Sequence, residues 1–183
     1  MSYVITGNPG VGKHTISKEI SKLLHLEIID INKIAQEFEL FEKNEETNDV
    51  DVVKLGQIIR ENFARPVLFV GHLAPYVLSS DKIKQVIVLR KNPYDLIPIY
   101  KERGYSKEKI MENSGSEALG IILHDAISQF GPEKTLQIDV TLQSIPQTTK
   151  KVMDALKGEI KTEDVDWLTM ISEKNDLKEF FAY

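Results

Sequence analysis

Residues 7–13, GNPGVGK, lie between a short apolar run at residues 3–6 and a helix-patterned segment at residues 14–24. This strand–loop–helix context turns a set of glycines into a candidate phosphate site. The glycines let the backbone curl so that successive N–H groups point inward, where no Cβ blocks an anion. The following helix adds the positive end of its dipole, and Lys13 can reach terminal phosphates. The alternative is an ordinary glycine turn between a strand and a helix.

The residue after the loop lysine is usually Ser or Thr, whose hydroxyl binds magnesium. Here it is His14, and Thr15 follows one position later. We therefore predict Mg²⁺ at Thr15, and at Asp30 further along the chain. The predicted contacts to ATP or ADP in this part of the chain are Gly10, Val11, Gly12, Lys13, His14 and Thr15.

Size and composition limit the other possibilities. The chain has 183 residues with a net charge of −5 and no cysteine, and its pI is near 5.5. This length predicts one domain over residues 1–183. The acidic balance argues against direct sequence-specific nucleic-acid binding, and no apolar run approaches a membrane span. Disulfides and cysteine metal sites are excluded, and a cytoplasmic location is expected.

Apolar runs alternate with helical patterns along the chain. Continuous apolar strands between helices predict an α/β fold, with a five-stranded parallel sheet covered by helices on both faces. The polar stretch 42–51 is expected to be an exposed loop or a small insertion, and not a domain boundary. The predicted strands are 3–6, 26–30, 66–70, 85–90 and 135–139; the predicted helices are 14–24, 32–38, 51–63, 93–102, 107–129 and 146–156, with two short ones within 163–181.

Ligands of open parallel sheets bind at the carboxyl ends of the strands. This rule places the residues that follow each predicted strand along one edge of the sheet, beside the phosphate loop. They are Asp30, the Gly71-His72 pair, Arg90 and Asp139.

Several segments together resemble a known family, and they follow one another in the family's order over most of the chain. They are GNPGVGKHT, VGHLAPY, VIVLR, KERGYSKEKIMEN, IDVT and VDWL. The chain resembles the archaeal and eukaryotic adenylate-kinase-related P-loop ATPases that also assist maturation of the small ribosomal subunit. The resemblance implies a nucleoside monophosphate kinase-like fold and a lid at about residues 102–113. It also implies a monophosphate-binding segment at about residues 30–53.

The resemblance assigns roles to individual residues. Arg103 matches the lid arginine that contacts ATP, and a solvated helix-end charge is its alternative. His72 matches a Gly-His pair at the second phosphate motif, where it would orient the attacking water or hold the water shell of the metal; a structural histidine is the alternative. Asp30 is placed by its position at the end of the second predicted strand, where its carboxylate would meet substrate, a magnesium-bound water or Lys13, or else cap the helix after it. Lys13, His72 and Arg103 are thus the predicted catalytic residues, and Asp30, Arg60 and Arg90 the predicted substrate contacts.

The chain departs from the family pattern at three positions. His14 replaces the hydroxyl residue, and Val70 stands where many relatives carry an acidic residue. Ile99 stands where relatives often carry a second arginine, one helical turn before Arg103. Losing a charge that stabilises a transition state can cost several kcal/mol, so slow turnover is expected.

Residues 37–51 contain seven acidic residues and one lysine. A solvated loop is the simple interpretation. An acidic mouth, however, repels a monophosphate and attracts a basic protein, such as the platform ribosomal protein that the resemblance suggests. The main hypothesis is an adenylate kinase with ATPase activity that acts in ribosome biogenesis. The alternatives are a nucleotide-gated assembly factor and a kinase of a small non-nucleotide metabolite.

Overall fold

A central sheet of five parallel strands carries the fold of the computed structural model, which describes residues 1–43 and 48–182. The strand order is β2-β5-β1-β6-β7, and every neighbouring pair is parallel. Strands β3 and β4 form a separate antiparallel pair. The strands are β1 Ser2–Thr6, β2 Ile28–Asp30, β3 Phe41–Lys43, β4 Asn48–Val50, β5 Leu68–Val70, β6 Ile83–Arg90 and β7 Thr135–Asp139.

Helices connect the parallel strands and cover both faces of the sheet. The α-helices are α1 Lys13–Leu24, α2 Ile31–Glu37, α3 Val52–Asn62, α4 Ala74–Val77, α5 Pro93–Glu102, α6 Lys107–Leu119, α7 Ile121–Phe130, α8 Ile145–Leu156, α9 Trp167–Glu173 and α10 Leu177–Phe180. A short 3₁₀ helix, Ser80–Lys82, precedes β6.

Alternating side chains of the strands build a separate core on each face. Along β6, Val86 and Val88 point to one face, and Ile87 and Leu89 point to the other, as the period of two in a strand requires. The first face packs against α2, α3, α4 and α7, and the second packs against α1, α5 and α8. The predicted fold class, a five-stranded parallel sheet with helices on both faces, is confirmed.

Two local predictions were wrong. The helix predicted over residues 107–129 is two helices, because Gly120 adopts a left-handed conformation with φ 66° and ends α6 before α7 begins. The stretch predicted as a loop contains the β3–β4 pair, in which Phe41 lies opposite Val50. Residues 44–47 lie outside the described part of the chain, as do the side chains of Glu42, Lys43, Asn48 and Asp49.

The C-terminal helices pack on α6 instead of on the sheet. Ile171 of α9 and Phe180 of α10 are buried with Ala118, and Trp167 covers them. The two short helices predicted near the C-terminus are confirmed, with Trp167 in this small cluster. In residues 1–43 and 48–182, no helix combines the length and apolar character that crossing a membrane requires.

Candidate nucleotide site

The phosphate loop lies between β1 and α1, at the carboxyl edge of the sheet. Gly10 and Gly12 have φ values of 86° and 94°, a left-handed conformation that side chains with a Cβ rarely adopt. A Cβ on Gly12 would have no neighbour within 4 Å, so the requirement there is conformational. The loop therefore opens directly at the N-terminus of α1, where backbone N–H groups attract an anion.

Lys13 points into this loop. Its side chain is buried, and Nζ donates a hydrogen bond of 2.8 Å to the carbonyl oxygen of Asn8. Burial, followed by the positive charge of Arg103, lowers the pKa of Lys13 to about 8, while the carboxylates of Glu117 and Asp30 oppose that shift. The ammonium is the charged form at neutral pH, and an anion in the loop would stabilise it further.

Asp30 lies at the end of β2, and its carboxylate contacts three residues. Its Oδ1 accepts from the backbone N–H groups of Asn32 and Lys33, which caps α2. Its Oδ2 lies 2.9 Å from Nε2 of His14. Burial favours the protonated carboxyl, but the hydrogen bonds from His14 and the cap outweigh it, and the pKa of Asp30 is below its usual value. The alternative reading as a helix cap is thus confirmed, and the roles in substrate and metal binding stay predictions.

Mg²⁺ prefers oxygen ligands and keeps several waters when it binds beside phosphates. The exposed hydroxyl of Thr15 on the first turn of α1 and the ionised carboxylate of Asp30 fit such a role. In the described ranges, no group of three or more His, Cys, Asp or Glu residues could hold a metal ion without help from substrate.

His72 follows β5 and is half-buried beside the loop. Burial, followed by the charge of Lys13, lowers the pKa of His72 to about 4. The imidazole is therefore neutral at physiological pH. Its Nδ1 lies 3.5 Å from Nδ2 of Asn32, and the Oδ1 atom of Asn32 is buried without a hydrogen-bond partner. A neutral imidazole can accept or donate one proton, which suits the orientation of a water or an acceptor hydroxyl.

Arg103 ends α5 on the other side of the loop, and its side chain is exposed. Its charge is close enough to affect the pKa of Lys13. The turn after it contains Gly104 with φ 70°, followed by Tyr105, whose ring stacks on Tyr100 at 5.5 Å. The hydroxyl of Tyr100 donates a hydrogen bond of 2.8 Å to the carbonyl of Pro9. The predicted lid is thus connected to the phosphate loop through Tyr100.

Arg90 does not have the arrangement that a substrate contact would need. It ends β6 as predicted, but its guanidinium is buried. Nε donates to Oε1 of Glu117 at 2.8 Å, Nη1 donates to Oε1 of Gln137 at 2.7 Å, and Nη2 donates to the carbonyl of Glu117 at 2.7 Å. The prediction that Arg90 binds substrate is therefore corrected: its guanidinium links β6 to Glu117 and Gln137 in the interior.

Arg60 lies at the opposite edge of the sheet. It lines a cavity of about 240 Å³ together with Ser2 and Ile83, where β1 and β6 begin. The phosphate loop follows the other end of β1. The prediction that Arg60 contacts the substrate is therefore wrong, because Arg60 lies at the amino ends of the strands.

Two of the departures from the family pattern are apolar packing positions. The side chain of Ile99 lies where a Cβ on Gly10 would meet it, at 3.4 Å, so it packs against the loop. Val70 is buried in the core beneath the loop. Neither side chain offers a charge to the site.

Sequence reasoning missed three residues that hold the loop from below. Asn8 donates to Oε2 of Glu117 at 2.7 Å and accepts from Ser116 at 3.2 Å. Glu117 is fully buried. The signal was available: a single acidic residue stands in a run of small ones, SGSEA at residues 114–118, on a helix that must pack closely. A charge in such a run indicates a paired, buried carboxylate.

The chain is similar in sequence to known proteins over most of its length. Residues 4–120 match the family described as "AAA domain". A protein named "Putative adenylate kinase" from Thermococcus onnurineus is 32% identical over 166 residues, which are 89% of each chain. A protein of the same name from Methanosarcina barkeri is 32% identical and covers 91% of this chain and 97% of its own. The chain belongs to this P-loop family.

Solved structures outside this P-loop family share its fold. Shikimate kinase from Bacteroides thetaiotaomicron superimposes with a TM-score of 0.55 at 16% identity, over 86% of this chain and 98% of that one. Deoxyadenosine kinase from M. mycoides gives a TM-score of 0.53 at 19% identity, over 87% and 100%. At these identities the likeness concerns the fold alone, which is that of P-loop kinases.

Proposed function

We propose that this member of the P-loop family is an ATP-dependent phosphotransferase whose acceptor is a nucleoside monophosphate, with AMP as the first candidate. The observation that carries the proposal is the buried ammonium of Lys13 inside a glycine loop at the N-terminus of α1. Phosphoryl transfer asks a protein mainly for positioning and positive charge around the moving group. The names of the archaeal relatives support the same activity.

Each residue of the site has a part in this reaction. Loop amides and Lys13 bind the β- and γ-phosphates, and Arg103 approaches the transferring group from the lid. His72 in its neutral form orients the attacking hydroxyl or water. Thr15 and Asp30 would hold Mg²⁺, which would supply positive charge to the phosphates during transfer. Residues 30–53 receive the monophosphate, and residues 102–113 close over the triphosphate.

The test measures ADP formation from ATP with and without AMP. We expect Lys13→Ala to lower turnover by about a hundredfold or more, the magnitude seen when one preorganised charge is removed from a transition state. Lys22→Ala is the matched control, because Lys22 lies on the same helix but is exposed and pairs with Glu19. If Lys13→Ala were as fast as Lys22→Ala, the assignment of the site would fail. A panel of small hydroxyl metabolites tests the alternative acceptor class.

The positions of the arginines favour a second candidate function. The chain has four arginines. Arg90 is buried with Glu117, Arg65 pairs with Glu27, and Arg60 lies at the opposite edge of the sheet. Arg103 alone remains for two phosphate-bearing ligands. This supports an ATPase that acts as a nucleotide-gated assembly factor, with weak kinase activity.

The partner proposed for such a factor is a basic ribosomal protein of the small-subunit platform. Its docking site is the acidic stretch 37–51, of which residues 44–47 lie outside the described part of the chain. ATP turnover that is stimulated by this protein but not by AMP would support the assembly factor. Neutralising Glu42, Glu45 and Glu46 should weaken binding of the partner. A control neutralises three acidic residues elsewhere, Glu61, Glu159 and Glu173; equal affinities of the two variants would dismiss the acidic contact.

A further inference from the structure

The side chain of Asn8 ties the phosphate loop to α6. Its Nδ2 donates to Oε2 of Glu117 at 2.7 Å, and its Oδ1 accepts from the hydroxyl of Ser116 at 3.2 Å. The backbone carbonyl of the same residue accepts from Nζ of Lys13 at 2.8 Å. One residue therefore contacts α6 with its side chain and the site lysine with its backbone.

Glu117 is a hub and not an incidental neighbour. Its second oxygen, Oε1, accepts from Nε of Arg90 at 2.8 Å and from the backbone N–H of Lys91 at 3.0 Å. The side chain is 1% exposed. Taking a carboxylate out of water is costly unless it is paired and fully hydrogen-bonded. Glu117 thus joins α6 to Asn8 of the phosphate loop and to Arg90 and Lys91 at the end of β6. Ser116, its neighbour on α6, adds a second contact to Asn8.

We propose that Glu117 is a positioning residue for the phosphate loop, which acts by holding the side chain of Asn8 and thereby the carbonyl that locates Lys13. The inference rests on the proposed nucleotide binding for its functional part. The first half of α6 belongs to the segment assigned to the lid, and the same helix carries Glu117 in its last turn. One helix of 13 residues thus connects the predicted lid with the contact to the phosphate loop.

The other side of the loop is held separately. The hydroxyl of Tyr100 on α5 donates to the carbonyl of Pro9 at 2.8 Å. Loss of the contact between Asn8 and Glu117 therefore leaves the loop attached at Pro9. The expected consequence is a mobile loop with a displaced lysine, not an unfolded protein.

The experiment uses a set of variants in which the hydrogen bond is removed and then rebuilt in reverse. Asn8→Ala removes both side-chain contacts to α6 but keeps the Glu117–Arg90 pair and the backbone carbonyl. Asn8→Asp sets two carboxylates against each other, and Glu117→Gln sets two amides together. The double variant Asn8→Asp/Glu117→Gln restores a donor and an acceptor with the original net charge. In it, the Gln oxygen can still accept from Arg90 and Lys91.

Three measurements are made on every variant, the first of which is the melting temperature by thermal denaturation. Calorimetric titration with Mg·ADP gives the dissociation constant. Amide hydrogen exchange of residues 7–13 in the nucleotide-free protein reports on the loop, so this measurement stays informative even if the parent chain fails to bind nucleotide. That failure would count against the proposed function alone, and unchanged exchange would count against the positioning role.

For Asn8→Ala we expect about tenfold weaker binding of Mg·ADP, the effect of losing a hydrogen bond to a charged group. Exchange of the loop amides should rise while the melting temperature changes little. Asn8→Asp should be worse than Asn8→Ala, and the double variant should recover most of the lost affinity and protection. A purely structural role of Glu117 would not produce this reciprocal recovery.

Gln137→Met is the matched control. It removes the acceptor of Nη1 of Arg90 and disturbs the same buried cluster without touching Asn8. We expect it to lower the melting temperature and to leave both Mg·ADP affinity and loop exchange within about twofold of the parent. The proposal is overturned if Asn8→Ala binds Mg·ADP like the parent, if Gln137→Met weakens binding as much as Asn8→Ala, or if the double variant is no better than Asn8→Asp.

Discussion

Lys13 shows how a single side chain can be both buried and charged. Among the described residues its ammonium donates to the carbonyl of Asn8, and its neighbourhood contains the positive Arg103 and the negative Glu117 and Asp30. Burial dominates, and the pKa of Lys13 falls to about 8. A bound anion would therefore stabilise the charged form of Lys13, because a phosphate brings negative charge next to the ammonium.

This state predicts proton uptake when nucleotide binds at alkaline pH. With the pKa of Lys13 at about 8, Lys13 is neutral in most molecules of the free protein at pH 9. Bound phosphate raises that pKa. Binding of Mg·ADP should therefore take up on the order of one proton at pH 9 and almost none at pH 7. Calorimetry in two buffers of different ionisation enthalpy measures it.

The matched variant is Lys13→Arg, whose guanidinium does not titrate in this range. It should abolish the dependence on buffer at pH 9 wherever binding remains measurable. Identical heats for the parent chain in both buffers at pH 9 would contradict the low pKa of Lys13.

Asp30 combines a cap with a carboxylate at the site, and the two roles can be separated. Asp30→Ser keeps an oxygen that can cap α2, whereas Asp30→Ala removes it. Asp30→Ala should lose about 1 kcal/mol in the free energy of unfolding, measured by urea denaturation, and Asp30→Ser should lose clearly less. Both should weaken Mg²⁺-dependent ADP binding if the carboxylate serves the metal. An effect of Asp30→Ala alone would restrict Asp30 to the cap.

Among the helices, α6 and α7 depend on the glycine between them. Gly120 has φ 66°, and a Cβ there would lie 3.3 Å from Nη1 of Arg90. A longer uninterrupted helix would carry α7 away from β6 and β7. The break therefore lets one chain segment cover the lid side of the site and the sheet face in succession.

A pair of substitutions isolates the contact at this break. Gly120→Ala and Gly158→Ala both place a side chain at positive φ, but Gly158 has no atom within 4 Å of the new Cβ. Each should lose about 1 kcal/mol in the free energy of unfolding from backbone strain. Gly120→Ala should lose more, because the new methyl group crowds the Arg90–Glu117 pair. Urea denaturation measures both, and equal losses would show that Arg90 moves aside at no cost.

Over the whole molecule, the candidate site residues lie at one edge of the sheet and a cavity lies at the opposite edge. The carboxyl edge carries the loop, Asp30 and His72, and the amino edge carries the cavity beside Arg60. Arg60 and Arg103 carry the same charge and are both exposed. They differ in position, because they lie at opposite edges of the sheet.

The two arginines should accordingly respond differently to removal. Arg103→Ala should lower ATP turnover by about tenfold to a hundredfold, because it removes a charge beside the transferring phosphate. Arg60→Ala should leave turnover and ADP affinity within about twofold of the parent. The coupled assay of ADP formation measures both variants. A comparable loss of turnover in Arg60→Ala would contradict the placement of the substrate at the carboxyl edge of the sheet.

Local patterns predicted the strands of the sheet, the phosphate loop and most helices. The apolar runs at β1, β5 and β6 have the continuity of strands buried on both faces, and the glycine loop follows the first of them. The prediction for residues 107–129 failed although the signal was local. The spacing of residues 107–129 fits one long helix, yet Gly120 with its left-handed φ divides it.

The arginines show why the site could be located from the order of residues but not completed from it. A motif fixes Lys13 because its seven residues are neighbours in the chain and share one backbone path. The fate of Arg90 depends on Glu117 and Gln137, which lie 27 and 47 positions away, and only the packed sheet and helices bring these groups within hydrogen-bond distance. A buried charge needs a partner that is close in space, and such a partner can be distant in the sequence. The sequence pattern therefore specified the phosphate loop, and tertiary packing decided which charged side chains lie beside it.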